Sequence, residues 1–257
     1  MNHIISTYPS AALKTEVTIH VLLPKTRPTL FNKEEKHSLP FKTLYLLHGA
    51  FESPEYFMNK SDICTLVDEL GIAVVMPFLA NSFYINSNTG EKYFDYITEE
   101  LKEYCEEIFP LSKDKENTFI GGISMGGYGA IRAALLYPGS YGKVFSLSCA
   151  VKTRPTLRFL KTCGLKLYDT KEELLEMENN DKDLFYCVKN TKTDTEDMPE
   201  FYMACGESDF FYKDNNEFVN VLKNQGIDVE YKTSPGNHQW NYWGGELSAA
   251  IKWLAQA

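Results

Sequence analysis

Apolar and polar positions change their period repeatedly along this chain. Residues Glu16 to Leu23 alternate and end at Pro24, which predicts a strand. Short apolar runs at 43–47, 72–76 (stopped by Pro77), 118–121, 143–148 and 201–205 predict five more, and 228–232, ahead of a Pro/Gly loop, reads as a further strand. Helical spacing takes over between them. Ile97, Leu101, Tyr104, Cys105 and Ile108 fall on one face of a helix over 94–108, and 128–136 reads as a second helix. Phe218, Val221 and Leu222 stripe a third, and Leu247, Ala250, Ile251 and Leu254 stripe the last. Strands alternating with helices imply an α/β fold class: a mostly parallel central sheet with helices on both faces. No internal repeat or low-complexity stretch interrupts the pattern, and 1–257 reads as a single domain.

Two segments depart from it. Lys25 to Pro40 is polar and carries prolines, which predicts a surface loop between hairpin strands. Residues 151–197 leave one core strand and return to another. They hold helical pieces at 171–177 and 183–188 around an acidic, Asn-rich middle. An insertion at the C-terminal edge of a parallel sheet lies over the ligand site, so this segment is expected to be a small lid.

Composition narrows the function class. The chain has 257 residues, is 44% apolar and carries a net charge of −9. A full core is within reach, and the acidic balance argues against a nucleic-acid partner. The N-terminal residues lack a basic stretch followed by an apolar one, so no signal peptide is expected, and no apolar run suits a membrane span. Six cysteines without paired spacing suggest reduced, buried thiols and a cytoplasmic location. Gly127-Tyr128-Gly129 is only part of a dinucleotide fingerprint, and metal-binding and Walker signatures are missing. Oligomeric state stays open, with a homo-oligomer compatible with the sequence.

The most informative stretch is Gly122-Ile123-Ser124-Met125-Gly126. It matches G-x-S-x-G between a predicted strand and a predicted helix, the setting of the α/β-hydrolase nucleophile elbow. A serine on that tight turn projects its hydroxyl above the sheet edge, and the N–H groups opening the helix face developing negative charge.

In that fold the acid follows the serine and the histidine comes last. Of the five histidines only His238 lies beyond Ser124, in a Pro/Gly loop after the 228–232 strand. Asp209, in the turn leaving the 201–205 strand, is the expected acid, with Glu207 and Asp214 as alternatives. A carboxylate is needed there to hold the imidazole in one tautomer and to stabilise its cation. The 43–47 strand ends in His48-Gly49-Ala50-Phe51, where the fold presents an oxyanion donor. The Ala50 and Met125 amides are the expected pair. His48 is expected to shape its loop rather than to act in chemistry.

His48-Gly49, the run Gly122 to Ala130, Cys205 to Phe211 and Gly236 to Trp243 together resemble the esterase D-like branch of the α/β-hydrolases. The likeness is greatest to the tributyrin esterase and acetyl-xylan or feruloyl esterase group, and it covers nearly the whole chain. It implies an α/β-hydrolase fold and hydrolysis of small carboxylic esters, short-chain acyl esters above all, without a cofactor. It implies Ser124, Asp209 and His238 as the triad. A thioesterase of the S-formylglutathione hydrolase type and an inactive binding protein on the same fold are the alternative readings. Two departures stand out: Gly236-Asn237 where relatives carry Gly-Gly, and Phe51-Glu52-Ser53 where they carry a small, Gly/Asn-rich turn. The aromatics Phe51, Phe83, Tyr84, Phe210, Phe211, Trp240 and Trp243 flank these loops, with Phe51 and Trp240 as the expected substrate contacts.

Overall fold

Eight strands share one sheet in the order β1-β2-β4-β3-β5-β6-β7-β8. They are β1 (Asn2–Ser10), β2 (Thr15–Leu23), β3 (Lys42–Leu47), β4 (Ile72–Pro77), β5 (Thr118–Ile123), β6 (Lys143–Leu147), β7 (Glu200–Gly206) and β8 (Val229–Ser234). The computed structural model describes residues 1–26, 37–164 and 170–256. Pairing is antiparallel between β1 and β2 and between β2 and β4, and parallel from β4 across to β8.

The central strands form because both of their faces are covered. Every residue of β4, β5 and β6 is buried. Alternate side chains feed two cores, as a period of two requires. Leu44 and Leu46 join the core under the Pro54–Lys60, Ile63–Leu70 and Trp240–Leu254 helices. Tyr45 and Leu47 join the core under Leu101–Ile108, Met125–Leu136 and Tyr212–Asn224. Each fully buried Leu or Phe here contributes about 1.5–3 kcal/mol of transfer free energy. The mostly parallel sheet with helices on both faces, expected from the alternation, is present, in keeping with the α/β-hydrolase fold that the resemblance implies.

Four details differ from the sequence reading. The N-terminal residues form an edge strand, β1, whose outward polar residues give no apolar run. β2 and β3 are not a hairpin, because β4 lies between them; residues 27–36 of their connection lie outside the described residues. In the predicted 94–108 helix, Tyr96–Glu100 is a π turn. The buried row then runs Ile97, Leu101, Cys105 and Phe109, leaving Ile108 55% exposed. In the Tyr212–Asn224 helix Val219, not Val221, shares the fully inward face with Phe218 and Leu222.

The 151–197 segment holds an unexpected helix, Thr153–Thr162, before Lys171–Leu175 and Leu184–Asn190. The Asp183 side chain caps the last by accepting from the Phe185 and Tyr186 amides. Residues 165–169 lie outside the described residues. The segment is fastened to the Met125–Leu136 helix. The buried Arg132 pairs with Asp181 and stacks on Phe94 at 3.8 Å, and Tyr128 Oη donates to the Lys182 carbonyl (2.7 Å).

Candidate active site

The C-terminal ends of β3, β5, β7 and β8 face the same edge of the parallel block, where ligand sites of such sheets collect. Ser124 follows β5 directly, with φ 54° and ψ −111°, a conformation rare for a residue with a side chain. The elbow presses on the end of β3. A Cβ on Gly126 would lie 2.0 Å from the Leu47 carbonyl oxygen, and one on Gly122 would lie 2.4 Å from the Gly126 carbonyl carbon. Only glycine permits that approach.

Asp209 leaves β7 with its side chain fully buried, and His238 leaves β8. His238 Nδ1 lies 2.9 Å from Asp209 Oδ2, and His238 Nε2 lies 3.0 Å from Ser124 Oγ. Burial pushes the Asp209 carboxyl up, but His238, the Phe211 amide and the Ser148 hydroxyl outweigh it and hold it below the ordinary value. The ionised carboxylate only accepts, so Nδ1 carries the proton and Nε2 offers its lone pair to the serine hydroxyl. The imidazole is walled by Phe210, Phe211 and Trp243, with ring centroids 4.3, 5.2 and 4.8 Å away.

The alternative carboxylates stand elsewhere. Glu207 is exposed, and Asp214 pairs with Lys152 at 2.9 Å. His48 is spent on its loop: the Leu79 amide donates to Nε2 (3.1 Å), so Nδ1 carries the proton and donates to the Gly49 carbonyl (2.8 Å). Burial lowers its pKa, in keeping with a neutral ring.

Ser124 opens into a cavity of about 470 Å³ walled by Ala50, Phe51, Glu52, Phe210, His238 and Trp240. Met125 is the first residue of its helix, so its amide has no intrahelical acceptor. The Phe51 amide is committed to Asn81 Oδ1 at 2.7 Å, which fixes the turn after Ala50 at a Phe51 φ of 66°. Phe83, Phe211 and Trp243 also reach the cavity. Tyr84 does not: it is buried, and its hydroxyl donates to the His48 carbonyl (2.9 Å). Thr156, Phe159, Leu160 and Cys163, from the helix the sequence reading missed, form the opposite wall. Cys163 is exposed and Cys64 half-buried, so the expectation of uniformly buried thiols holds for four of the six; all six are free. Among the described residues no cluster of three or more His, Cys, Asp or Glu side chains is placed to hold a metal, and no helix is long and apolar enough to cross a membrane.

Two groups at this site gave no sequence signal: Asn81, which accepts from the Phe51 amide, and Ser148, which accepts from the Trp243 indole; Glu52, which accepts from the Trp240 indole, stood out only as part of the departure at 51–53.

Known proteins resemble this chain over nearly its whole length. The Esterase family model, described as "Putative esterase", matches residues 10–254. An acetyl esterase from Caldicellulosiruptor saccharolyticus is 33% identical over 254 residues, 96% of each chain. The solved structure of a substrate-bound Staphylococcus aureus fluorophosphonate-binding serine hydrolase, FphF, superposes with a TM-score of 0.85 at 29% identity, covering 100% of this chain and 99% of that one. An S-formylglutathione hydrolase (FrmB) apoenzyme from the same organism gives 0.83 at 30% identity, covering 99% of each.

Proposed function

The chain belongs to the Esterase family and is a carboxylic ester hydrolase, and from that premise we propose that Ser124, His238 and Asp209 hydrolyse short-chain acyl esters through an acyl-enzyme. The observation that carries this reading is the continuous hydrogen-bonded line from Ser124 Oγ through His238 to Asp209 at the mouth of an aromatic cavity. His238 Nε2 takes the hydroxyl proton as Ser124 Oγ attacks the ester carbonyl. Asp209 holds the ring and stabilises its cation. The Ala50 and Met125 amides bind the oxyanion, an effect of about 3–4 kcal/mol on the barrier. The alcohol departs with the proton from His238, and water repeats the sequence on the acyl-serine. No step calls for a cofactor.

The acyl group lies between the Phe51 and Trp240 loops and the wall formed by Thr156, Phe159 and Leu160. The 151–197 segment acts as a lid through that wall. The acetyl esterase relative supports a short acyl group, and the S-formylglutathione hydrolase likeness supports a thioester as the second reading. The test is kcat/KM over acetyl, butyryl, octanoyl and feruloyl esters and S-formylglutathione. Acetyl to butyryl esters are expected to lead. Octanoyl or feruloyl esters in first place would reject the short-chain reading, and S-formylglutathione in first place would move the substrate to the thioester class.

A further inference from the structure

The oxyanion-side loop and the histidine loop leave strands that are far apart in the sheet. β5, β6 and β7 separate β3 from β8, so their axes are about 19 Å apart at ~4.8 Å per step. The acid and histidine loops are tied by backbone: the Glu207 amide donates to the Ser234 carbonyl (3.0 Å) and the Ser208 amide to the Gly236 carbonyl (2.8 Å). The elbow is tied to β3 by the contact of Gly126 with Leu47. The tie between the loop carrying Ala50 and the loop carrying His238 is made by side chains.

That tie is Glu52. Its Oε1 accepts the Trp240 indole N–H, joining residues 188 apart in sequence. Its Oε2 is buried without a hydrogen-bond partner and rests against Gly49, where a Cβ would lie 2.9 Å from it. Ala50 is therefore braced on one side by Glu52 and on the other by the Phe51–Asn81 bond. Trp240 in turn stands two residues beyond His238 and opens the final helix. Its ring packs edge-on against Phe57 (5.6 Å) and Trp243 (5.8 Å), so it is a rigid anchor. Burial pushes the Glu52 carboxyl up from its ordinary value, and the Trp240 indole and the Gly49 backbone offset only part of that.

We infer that Glu52 is a positioning residue that clamps the loop carrying the Ala50 amide to the loop carrying His238 through the Trp240 indole, and so sets the spacing of oxyanion donor and base. This rests on the roles given above to Ser124, His238 and Ala50. The bond, not the charge, carries the effect, so an uncharged acceptor of the same shape suffices. Misplacing a catalytic group by an ångström lowers turnover by as much as about 100-fold.

The test measures kcat and KM on p-nitrophenyl acetate, with thermal midpoints, for wild type, E52Q, E52A, W240F, E52A/W240F and S124A. E52A is expected to lower kcat about 10–100-fold with KM within about threefold. E52Q, whose amide oxygen still accepts the indole proton, should keep kcat within about threefold of wild type. In the W240F background E52A should have little further effect, because the two side chains act as one unit. The clamp is overturned if E52Q is as impaired as E52A, if E52A raises KM alone, or if the E52A loss is undiminished in W240F. Should E52A fail to fold, W240F and E52Q decide: an impaired W240F with a competent E52Q supports the clamp, and any other pairing overturns it. An active S124A would defeat the underlying assignment of the nucleophile, whereas an inactive S124A with a fully active E52A retires the clamp alone.

Discussion

Trp243 donates its indole N–H to the Ser148 hydroxyl at 2.9 Å, with both groups buried behind the Asp209–His238 pair. An indole nitrogen can only donate, so the Ser148 oxygen accepts and its own proton is free to turn to Asp209. Ser148 stands at the end of β6 with φ 49°, a strained position that aims the hydroxyl at the carboxyl emerging from β7. It is one of the groups that favour the charged form of Asp209.

Ser148→Ala should therefore strand the Trp243 N–H in a buried site and remove support from Asp209. A stability loss of about 1–3 kcal/mol is expected from the denaturant midpoint, with kcat lowered by roughly threefold to tenfold. Unchanged stability and turnover would show that the indole finds another acceptor and that Ser148 is dispensable.

Asp209→Asn should lower kcat by about 10³–10⁴-fold near neutral pH, because the amide favours the wrong imidazole tautomer. Glu207→Gln and Asp214→Asn should leave turnover near that of the wild type. The pH dependence of stability has a definite sign. A carboxyl whose pKa is lower in the folded chain stabilises the fold above its unfolded value of about 3.9, and that contribution disappears as pH falls through the lower, folded value. Asp209 is shifted this way. The Asp209-dependent stability gap between wild type and Asp209→Asn should be constant above about pH 5 and narrow as pH drops below about 4. A gap that widened in acid would contradict the assigned shift.

The 151–197 segment, proposed as a lid, divides into an anchor and a wall. Asp181 holds the buried Arg132, whereas Phe159 and Leu160 face the cavity. Asp181→Asn should cost about 1–3 kcal/mol of stability, since a buried guanidinium loses its counter-charge but keeps the Asp181 carbonyl. The ratio of acetyl to octanoyl hydrolysis should stay unchanged. Leu160→Ala and Phe159→Ala should shift that ratio toward the longer chain, by up to about tenfold. Assays of both chain lengths beside thermal melts separate the two roles. A ratio that moves with Asp181 and not with Phe159 or Leu160 would remove the lid from the account.

Strands buried on both faces were legible in the sequence, because β4 and β5 reveal themselves as unbroken apolar runs. The edge strand β1 was not, since its outward residues are polar and its order comes from pairing with β2. The π turn at Tyr96–Glu100 was equally invisible, because a shift of one residue in the buried row leaves composition unchanged. Ser124, Asp209 and His238 could be picked out because each follows a strand in a turn with its own chemistry. Asn81 and Ser148 could not, because no motif surrounds them and their partners lie 30 and 95 residues away; Glu52 stood out only within the 51–53 departure, with nothing to point to a partner 188 residues away. Such bonds arise from which loops the sheet order brings together.

The central claim is that Ser124 is the nucleophile, and Ser124→Ala tests it most directly. Ester hydrolysis by wild type and variant would be measured together with labelling by a fluorophosphonate and localisation of the label by mass spectrometry. The account predicts a folded variant with an unchanged melting temperature, turnover lowered by about 10⁴-fold or more, and wild-type label on Ser124 alone. A folded Ser124→Ala protein that kept even a tenth of wild-type turnover, or a label on another residue, would contradict it.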